Sequence, residues 1–419
     1  MGDHRRLRRA RGLAVRVGGG RRRKSGLLED QASPRELNRS ARRVVRGIAR
    51  RKILLAFLGA IALIAAAVFV SLMLVSRTPV GPSNGVTPTA AGTAVLVAVT
   101  DDAGRAVSIA LIGTEPGGAR IALFPPGLLT VLPGFGDREI ADVTRFGAPD
   151  LPQLTVSNLL GVRLDGSLQI TAGEFAGLLG SGVTVDLTSQ LVVKTGLAEV
   201  VAMDVGPAVR SQEEVARLLI EQGTGTQLEW LDRQGSVWRT VFAQMASNPV
   251  LVDAMVNRVF GDPSLARQAL AGAAEADDEL RLTAVPVERI ERAGGDSELY
   301  QISGEAAAAF ASERFAFLQF TAEIRPRVEV LNGNGRIGTT RPVAAALIAH
   351  GFRIVRTDNA DKSDYAESRI ISQGRAHQQE ALNAREVLGR GEVVIEVRQP
   401  SGVVDLTIIV GQDIPAEEV

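Results

Sequence analysis

A chain of 419 residues, 45% of them hydrophobic, is long enough for two or three domains and too apolar to be disordered. Its 47 basic and 47 acidic residues cancel, yet residues 1–52 hold 18 Lys/Arg against 4 Asp/Glu and the remainder 29 against 43, which excludes a uniformly basic nucleic-acid binder. There is no cysteine, and His4, His350 and His377 are the only imidazoles. Disulfides, thiolate nucleophiles and iron–sulfur clusters are thereby excluded, and any metal would depend on oxygen ligands.

The first element is the run 53–75, 23 residues without a charge. As a helix it would reach about 34 Å, against a hydrocarbon core of about 30 Å, and it predicts a transmembrane span. Arg42, Arg43, Arg46, Arg50, Arg51 and Lys52 crowd its N-terminal side while only Arg77 follows closely, so the tail 1–52 is expected in the cytoplasm and 77–419 outside. The apolar run is too long and its basic head too extended for a cleaved signal peptide. The arginine-rich tail reads as a segment lying against anionic lipid; it shows no helix-turn-helix pattern, and no nucleic-acid partner is expected.

Residues 76–93, rich in Pro, Gly, Ser and Thr, predict a flexible spacer. Short apolar runs then predict strands at 94–99, 107–113, 119–124 and 129–136. Helical periodicity takes over at 211, where Ser211 and Glu214 form a potential capping box, and continues through LEWLDRQGSVWRTVFAQM. Trp230 and Trp238 share one face of that helix, in a core or a groove. LRLTAVPVERI and ELYQI return to strand, so the outer part is predicted as mixed α/β.

From Arg327 a smaller α/β unit is predicted: strand RVEVL, a glycine loop, helix PVAAALIAH closed by Gly351 and strand FRIVRT in βαβ order. A strand at 367–372, a helix from about Ala376 to Leu388, two further strands and a short acidic tail follow. Gly333, Gly335 and Gly338 satisfy G-x-G-x-x-G, with Asp358 at the end of the next strand, which in a dinucleotide site would bind pyrophosphate and ribose. An outward-facing unit too short for a second mononucleotide half argues instead for a structural loop, with Pro342 and Thr339 or Thr340 setting the helix start, and no cofactor is expected.

Two stretches carry a family resemblance. VEVLNGNG, AHGFRIVRTDNADKSDYAES and VDLTIIVGQD, in that order across 327–413, resemble the C-terminal domain appended to LytR-CpsA-Psr proteins. LVAVTDDAGRAVSIALIG, IALFPPGLLTVLPGFG and LLGVRLDGSLQITAGEFAGLLGSGVTVDL, within 94–190, resemble the start of the LytR-CpsA-Psr catalytic domain, and LDRQGSVWRTV is similar to its later Arg-Gln helix. The resemblance implies a degenerate LytR-CpsA-Psr-like domain over 94–323 and a LytR-type C-terminal domain over 324–419.

Members of that family are membrane-anchored enzymes that move an anionic glycopolymer from a polyprenyl-pyrophosphate carrier onto peptidoglycan, gripping the pyrophosphate with arginines, aspartates and a divalent cation. The resemblance transfers this chemistry incompletely. Asp101, Arg105 and Arg233 are the candidate site residues, but the aspartate of the R-S-D-T motif aligns with Val107, the P-R-D motif reads Pro125, Pro126 and Gly127, and an arginine pair is replaced at Glu221 and neutral neighbours. Proline and valine cannot make the bidentate contacts by which arginine neutralises phosphate oxygens.

A non-catalytic binding or scaffold factor in cell-envelope glycopolymer assembly is therefore expected. Its partners would be the cell membrane, polyprenyl-linked glycan or peptidoglycan, and envelope-assembly proteins. The alternative is an active transferase that uses Asp101, Asp102, Arg105, Arg138 and Arg145 as substitutes, and Mg²⁺ enters only with it. Leu219, Ile220, Trp230, Leu231, Val237, Trp238, Val241 and Phe242 would line either a lipid groove or an ordinary core.

Overall fold

A computed structural model describes residues 92–276, 281–291, 298–320, 325–396 and 403–415. The expected cytoplasmic tail 1–52, the transmembrane run 53–75 and the spacer up to residue 91 lie outside them.

The first strands form where apolar, β-branched runs alternate with turn residues. They are β1 (Thr93–Thr100), β2 (Ala106–Glu115) and β3 (Gly118–Phe124), an antiparallel meander. The expected strand 129–136 is instead a hairpin, β4 (Leu129–Leu132) and β5 (Gly136–Glu139), because Pro133 and Gly134 break it with a turn. After α1 (Leu151–Leu160), closed by Gly161 in the left-handed conformation, come β6 (Gly166–Thr171) and α2 (Ala172–Leu179), the latter started by a Thr171/Glu174 capping box.

Two small ribbons follow, from β7 (Val183–Leu187), β8 (Leu191–Thr195), β9 (Ala198–Met203) and β10 (Gly206–Arg210), with β7 paired to β10 and β8 to β9. The expected Ser211/Glu214 capping box opens α3 (Gln212–Ile220), and a second box, Thr226/Glu229, opens the long α4 (Gln227–Ser247). Next in order are α5 (Pro249–Val256), β11 (Val259–Gly261), α6 (Pro263–Glu275), β12 (Arg281–Ala284), β13 (Glu288–Ile290), β14 (Leu299–Gln301) and α7 (Gly304–Arg314).

The main sheet has the order β11-β6-β1-β2-β3-β12, with β6 parallel to β1 and β12 parallel to β3. Both faces are covered, which is why AVLVAV reads as a continuous apolar run rather than an alternating one. Val95, Val97 and Val99 face a core built by α2 to α6, while Ala94, Leu96 and Ala98 face a second core with α1 and α7.

The C-terminal part is a five-stranded sheet in the order β16-β15-β19-β17-β18, made of β15 (Arg327–Asn332), β16 (Arg353–Asn359), β17 (Arg369–Gln373), β18 (Glu392–Glu396) and β19 (Leu406–Val410). β15 and β16 are parallel and joined through α8 (Thr340–Ala349), as the βαβ reading expects. The following helix, α9 (Gln378–Leu388), starts slightly later than Ala376, after one 3₁₀ turn.

The glycine loop is structural. Asn332 Oδ1 accepts the amides of Asn334 and Gly335, and Asn334 Oδ1 that of Arg336, so side chains occupy N–H groups a pyrophosphate would need. Gly335 and Gly338 have φ of 71° and 85°, while a Cβ at Gly333 would lie 2.6 Å from Ile409 Cγ2. Thr339 is not a side-chain cap of α8; its hydroxyl bonds to Asn334 Oδ1 and the Arg336 carbonyl instead. Asp358 is paired with Arg356.

The C-terminal sheet is fastened to the rest by side chains that satisfy exposed backbone. Asn158 of α1 exchanges two 2.8 Å hydrogen bonds with the peptide groups of Ile354 on the edge strand β16. Arg325 donates to the carbonyls of Asn158 and Phe352 at 2.8 and 2.7 Å, and Arg341 pairs with Asp150.

Candidate functional site

The start of β2, the end of β3 and the loop between α3 and α4 converge on one face of α4. Gln227, Trp230, Gln234 and Trp238 line up along that face at helical spacing, and each directs its polar tip at another element. Gln227 accepts the Gly127 amide at 2.8 Å and donates to the Glu298 carbonyl at 2.9 Å. Trp230 Nε1 donates to the Leu218 carbonyl, Gln234 Nε2 to those of Val107 and Leu219, and Trp238 Nε1 to Ser108 Oγ.

Arg233 is buried beside this row and donates to the carbonyls of Gln190 and Gln222, at 3.1 and 2.5 Å. Burial holds its guanidinium below the usual arginine range. Leu218 and Leu219 are in the last turn of α3, whose carbonyls have no partners within their own helix, so α4 closes that helix end.

Above this framework opens a cavity of about 650 Å³ lined by Lys194, Glu199, Glu221, Gln222, Arg289 and Glu298 with adjoining backbone. The carboxylates are already engaged. Glu298 accepts the amide of Gln227 at the start of α4 at 2.7 Å and the Tyr300 hydroxyl at 3.2 Å, and pairs with Arg289 at 3.2 Å. Burial first, and then the Glu298 charge, push the Tyr300 hydroxyl up to about 12. Glu221 pairs with Arg217, and Lys194 stands opposite Glu199 across the β8–β9 ribbon. Each of the three carboxylates has a cation beside it, so the lining holds no surplus positive charge with which to neutralise a polyanion.

Asp101 and Arg105 take up different positions. Asp101 Oδ1 accepts the amides of Ala103 and Arg105 and closes the β1–β2 turn, and Arg105 pairs with Glu139 on β5. Arg233 engages the α3–α4 side, so these three residues serve separate local structures. Asp102 and Arg138 are exposed, and Arg145 is largely exposed with Asp142 at 3.4 Å. The five substitutes considered for a transferase line none of the described cavities together. Among the described residues no group of three acidic or histidine side chains is placed to hold a metal ion, and Asp101 is committed to its turn.

Six of the apolar side chains open to a groove or core reading belong to one packed core, Trp230 is buried outside it, and Ile220 is exposed. Trp238 lies between Phe175, edge-on at 5.0 Å between ring centroids, and Phe242, stacked at 5.8 Å. Gln227 and Glu298 were not signalled by any motif, whereas Gln234 lies in the LDRQGSVWRTV stretch that resembles the family's Arg-Gln helix. The seven-residue spacing of the two glutamines on one helical face is the trace they leave in the sequence.

Residues 325–413 match the family model described as LytR cell envelope-related transcriptional attenuator. The chain is also similar to several solved structures. Bacillus subtilis TagV is 16% identical with a TM-score of 0.44, the match covering 55% of this chain and 98% of TagV. Bacillus subtilis TagT is 17% identical with a TM-score of 0.42, over 57% of this chain and 96% of that one. A LytR-Csp2A-Psr enzyme from Actinomyces oris is 20% identical with a TM-score of 0.41, over 56% and 93%. No curated protein sequence matches the chain.

Proposed function

We propose that this protein is a non-catalytic binding or scaffold factor in cell-envelope glycopolymer assembly, anchored by residues 53–75 with its folded part outside the membrane. The observation that carries the reading is the chemistry of the α3–α4 cavity. Where the family resemblance calls for guanidinium and carboxylate groups to grip a pyrophosphate and its cation, the chain has Val107 in place of an aspartate, the Pro125–Gly127 turn in place of P-R-D and Glu221 in place of an arginine, and Glu298 lies at the start of α4. Phosphoryl transfer depends on positioning and on neutralising charge spread over phosphate oxygens, and each missing clamp can raise the barrier by several kcal/mol, of the order of 3.

The match over 325–413 to a cell envelope-related family supports the cellular setting. Polyprenyl-linked glycan, peptidoglycan and other envelope-assembly proteins are the partner classes that follow from this reading. The test is to incubate the full chain with a polyprenyl-pyrophosphate-linked glycan donor, an acceptor glycan and Mg²⁺, and to follow both glycan transfer and phosphate release. Neither product should exceed the protein-free control. Turnover that disappears in Asp101→Ala or Arg105→Ala would establish the transferase instead.

A further inference from the structure

The seam between the C-terminal sheet and the rest of the fold contains a second cavity, of about 330 Å³, distinct from the α3–α4 cavity. Its lining includes Leu129, Thr130, Asp137, Leu159, Ile302 and Arg353. Most of the lining residues are aliphatic, and Arg353 is the one basic residue among them.

Arg353 is one of three arginines collected at the seam. It stands opposite Arg327 in the parallel register of β15 and β16. Arg327 is satisfied by Asp405, with Nη2 to Oδ1 at 2.7 Å, and Arg325 rests on backbone carbonyls. Arg353 has no side-chain hydrogen bond or ion pair among the described residues. Burial and then the Arg327 charge hold its guanidinium below the usual range, and burial and then the Arg353 charge push Arg325 down to about 10.

The guanidinium crosses the seam and lies over Gly304, the first residue of α7. A Cβ at that glycine would lie 2.3 Å from Arg353 Nη1, so a larger residue there would have to displace the guanidinium. This position puts a cation beside the positive end of a helix, where the first-turn acid Glu305 is exposed and makes no ion pair with it among the described residues, so an anion joining Arg353 would relieve the placement. Asp137 on the cavity wall is exposed to solvent.

We propose that the seam cavity binds a small amphiphilic anion: a phosphomonoester or carboxylate head held by Arg353, with a short aliphatic chain lying against Leu129, Leu159 and Ile302. A planar guanidinium without a carboxylate partner supplies bidentate donors for the head, and the aliphatic wall supplies the surface that a chain buries. The cavity is at the small end of ligand sites, which limits the chain to a few carbons. This inference does not depend on whether the protein transfers glycopolymer.

Isothermal titration of the full chain with n-butyl phosphate, inorganic phosphate and n-butanol separates the sources of binding. Butyl phosphate should bind saturably at one site, about tenfold or more tighter than inorganic phosphate, with no saturable heat from butanol. Arg353→Gln should weaken butyl phosphate about tenfold or more, and Asp137→Asn should tighten it. Equal binding of the two phosphates would mean a free-phosphate site and would overturn the amphiphilic assignment, as would unchanged binding in Arg353→Gln or no saturable binding at all. If Arg353→Gln fails to fold, Leu129→Asp decides. That residue is 37% exposed and tolerates a polar side chain, and a carboxylate placed there must abolish binding; retention of affinity refutes the site.

Discussion

Replacing Asn158 by alanine tests how the C-terminal sheet is held. Asn158 is 3% exposed, and its amide both donates to and accepts from Ile354 at 2.8 Å. Ile354 lies on the edge strand β16, whose outer N–H and C=O groups have no neighbouring strand. Truncation leaves one donor and one acceptor stranded at about 1–3 kcal/mol each. Because both residues border the seam cavity, water can reach the gap, so the lower part of that range applies, a loss of about 2–3 kcal/mol.

Native-state hydrogen exchange at the Ile354 amide reads the loss directly, and urea unfolding followed by tryptophan fluorescence provides a separate readout, since both tryptophans are on α4. The expected result is a large fall in protection at β16 with a smaller shift of the fluorescence transition. Asn158→Asp should be at least as damaging, because a carboxylate can accept from the amide of Ile354 but repels its carbonyl. Protection within about 0.5 kcal/mol of the parent in both variants would show that the bidentate contact does not hold the strand, and the reasoning would fail.

Trp238→Ala should cost about 3–5 kcal/mol, since it empties the space between Phe175 and Phe242 and strands Ser108 Oγ; urea unfolding monitored through Trp230 measures it, and a cost under 1 kcal/mol would argue for a ligand groove rather than a packed core. Asp405→Asn probes pH dependence. Burial alone would raise the Asp405 carboxyl, but the Arg327 contacts outweigh it and hold the group below the ordinary 3.8. Its stabilisation is therefore complete above that ordinary value and is lost as pH falls through the lower folded value. Asp405→Asn should cost about 1.5–3 kcal/mol at pH 7, and the gap from the parent should close on acidification, as followed by urea midpoints across pH 2–7.

Much of the architecture was legible in the sequence because it follows from local rules. The apolar runs from residue 94, the Ser211/Glu214 cap and the β-loop-α-β order after Arg327 each correspond to elements of the fold. The run 129–136 carries its own turn signal in Pro133 and Gly134, but not the register in which its two halves pair with each other. The same limit applied to Thr339, whose hydroxyl turned back to Asn334 rather than capping α8.

The sequence by itself determined which positions can carry charge, because residue identity is a one-dimensional fact: Val107 and Pro126 carry none in any conformation. Tertiary structure alone decided what stands in their place. Gln227 meets Gly127, Gln234 meets Val107 and Glu298 meets Gln227 across separations of 71 to 127 residues, and Arg353 comes to rest on Gly304 through a contact between two separately built cores. Periodicity reports which side of a helix or strand is apolar, but not which distant chain segment that side will meet, and both cavities are made by such meetings.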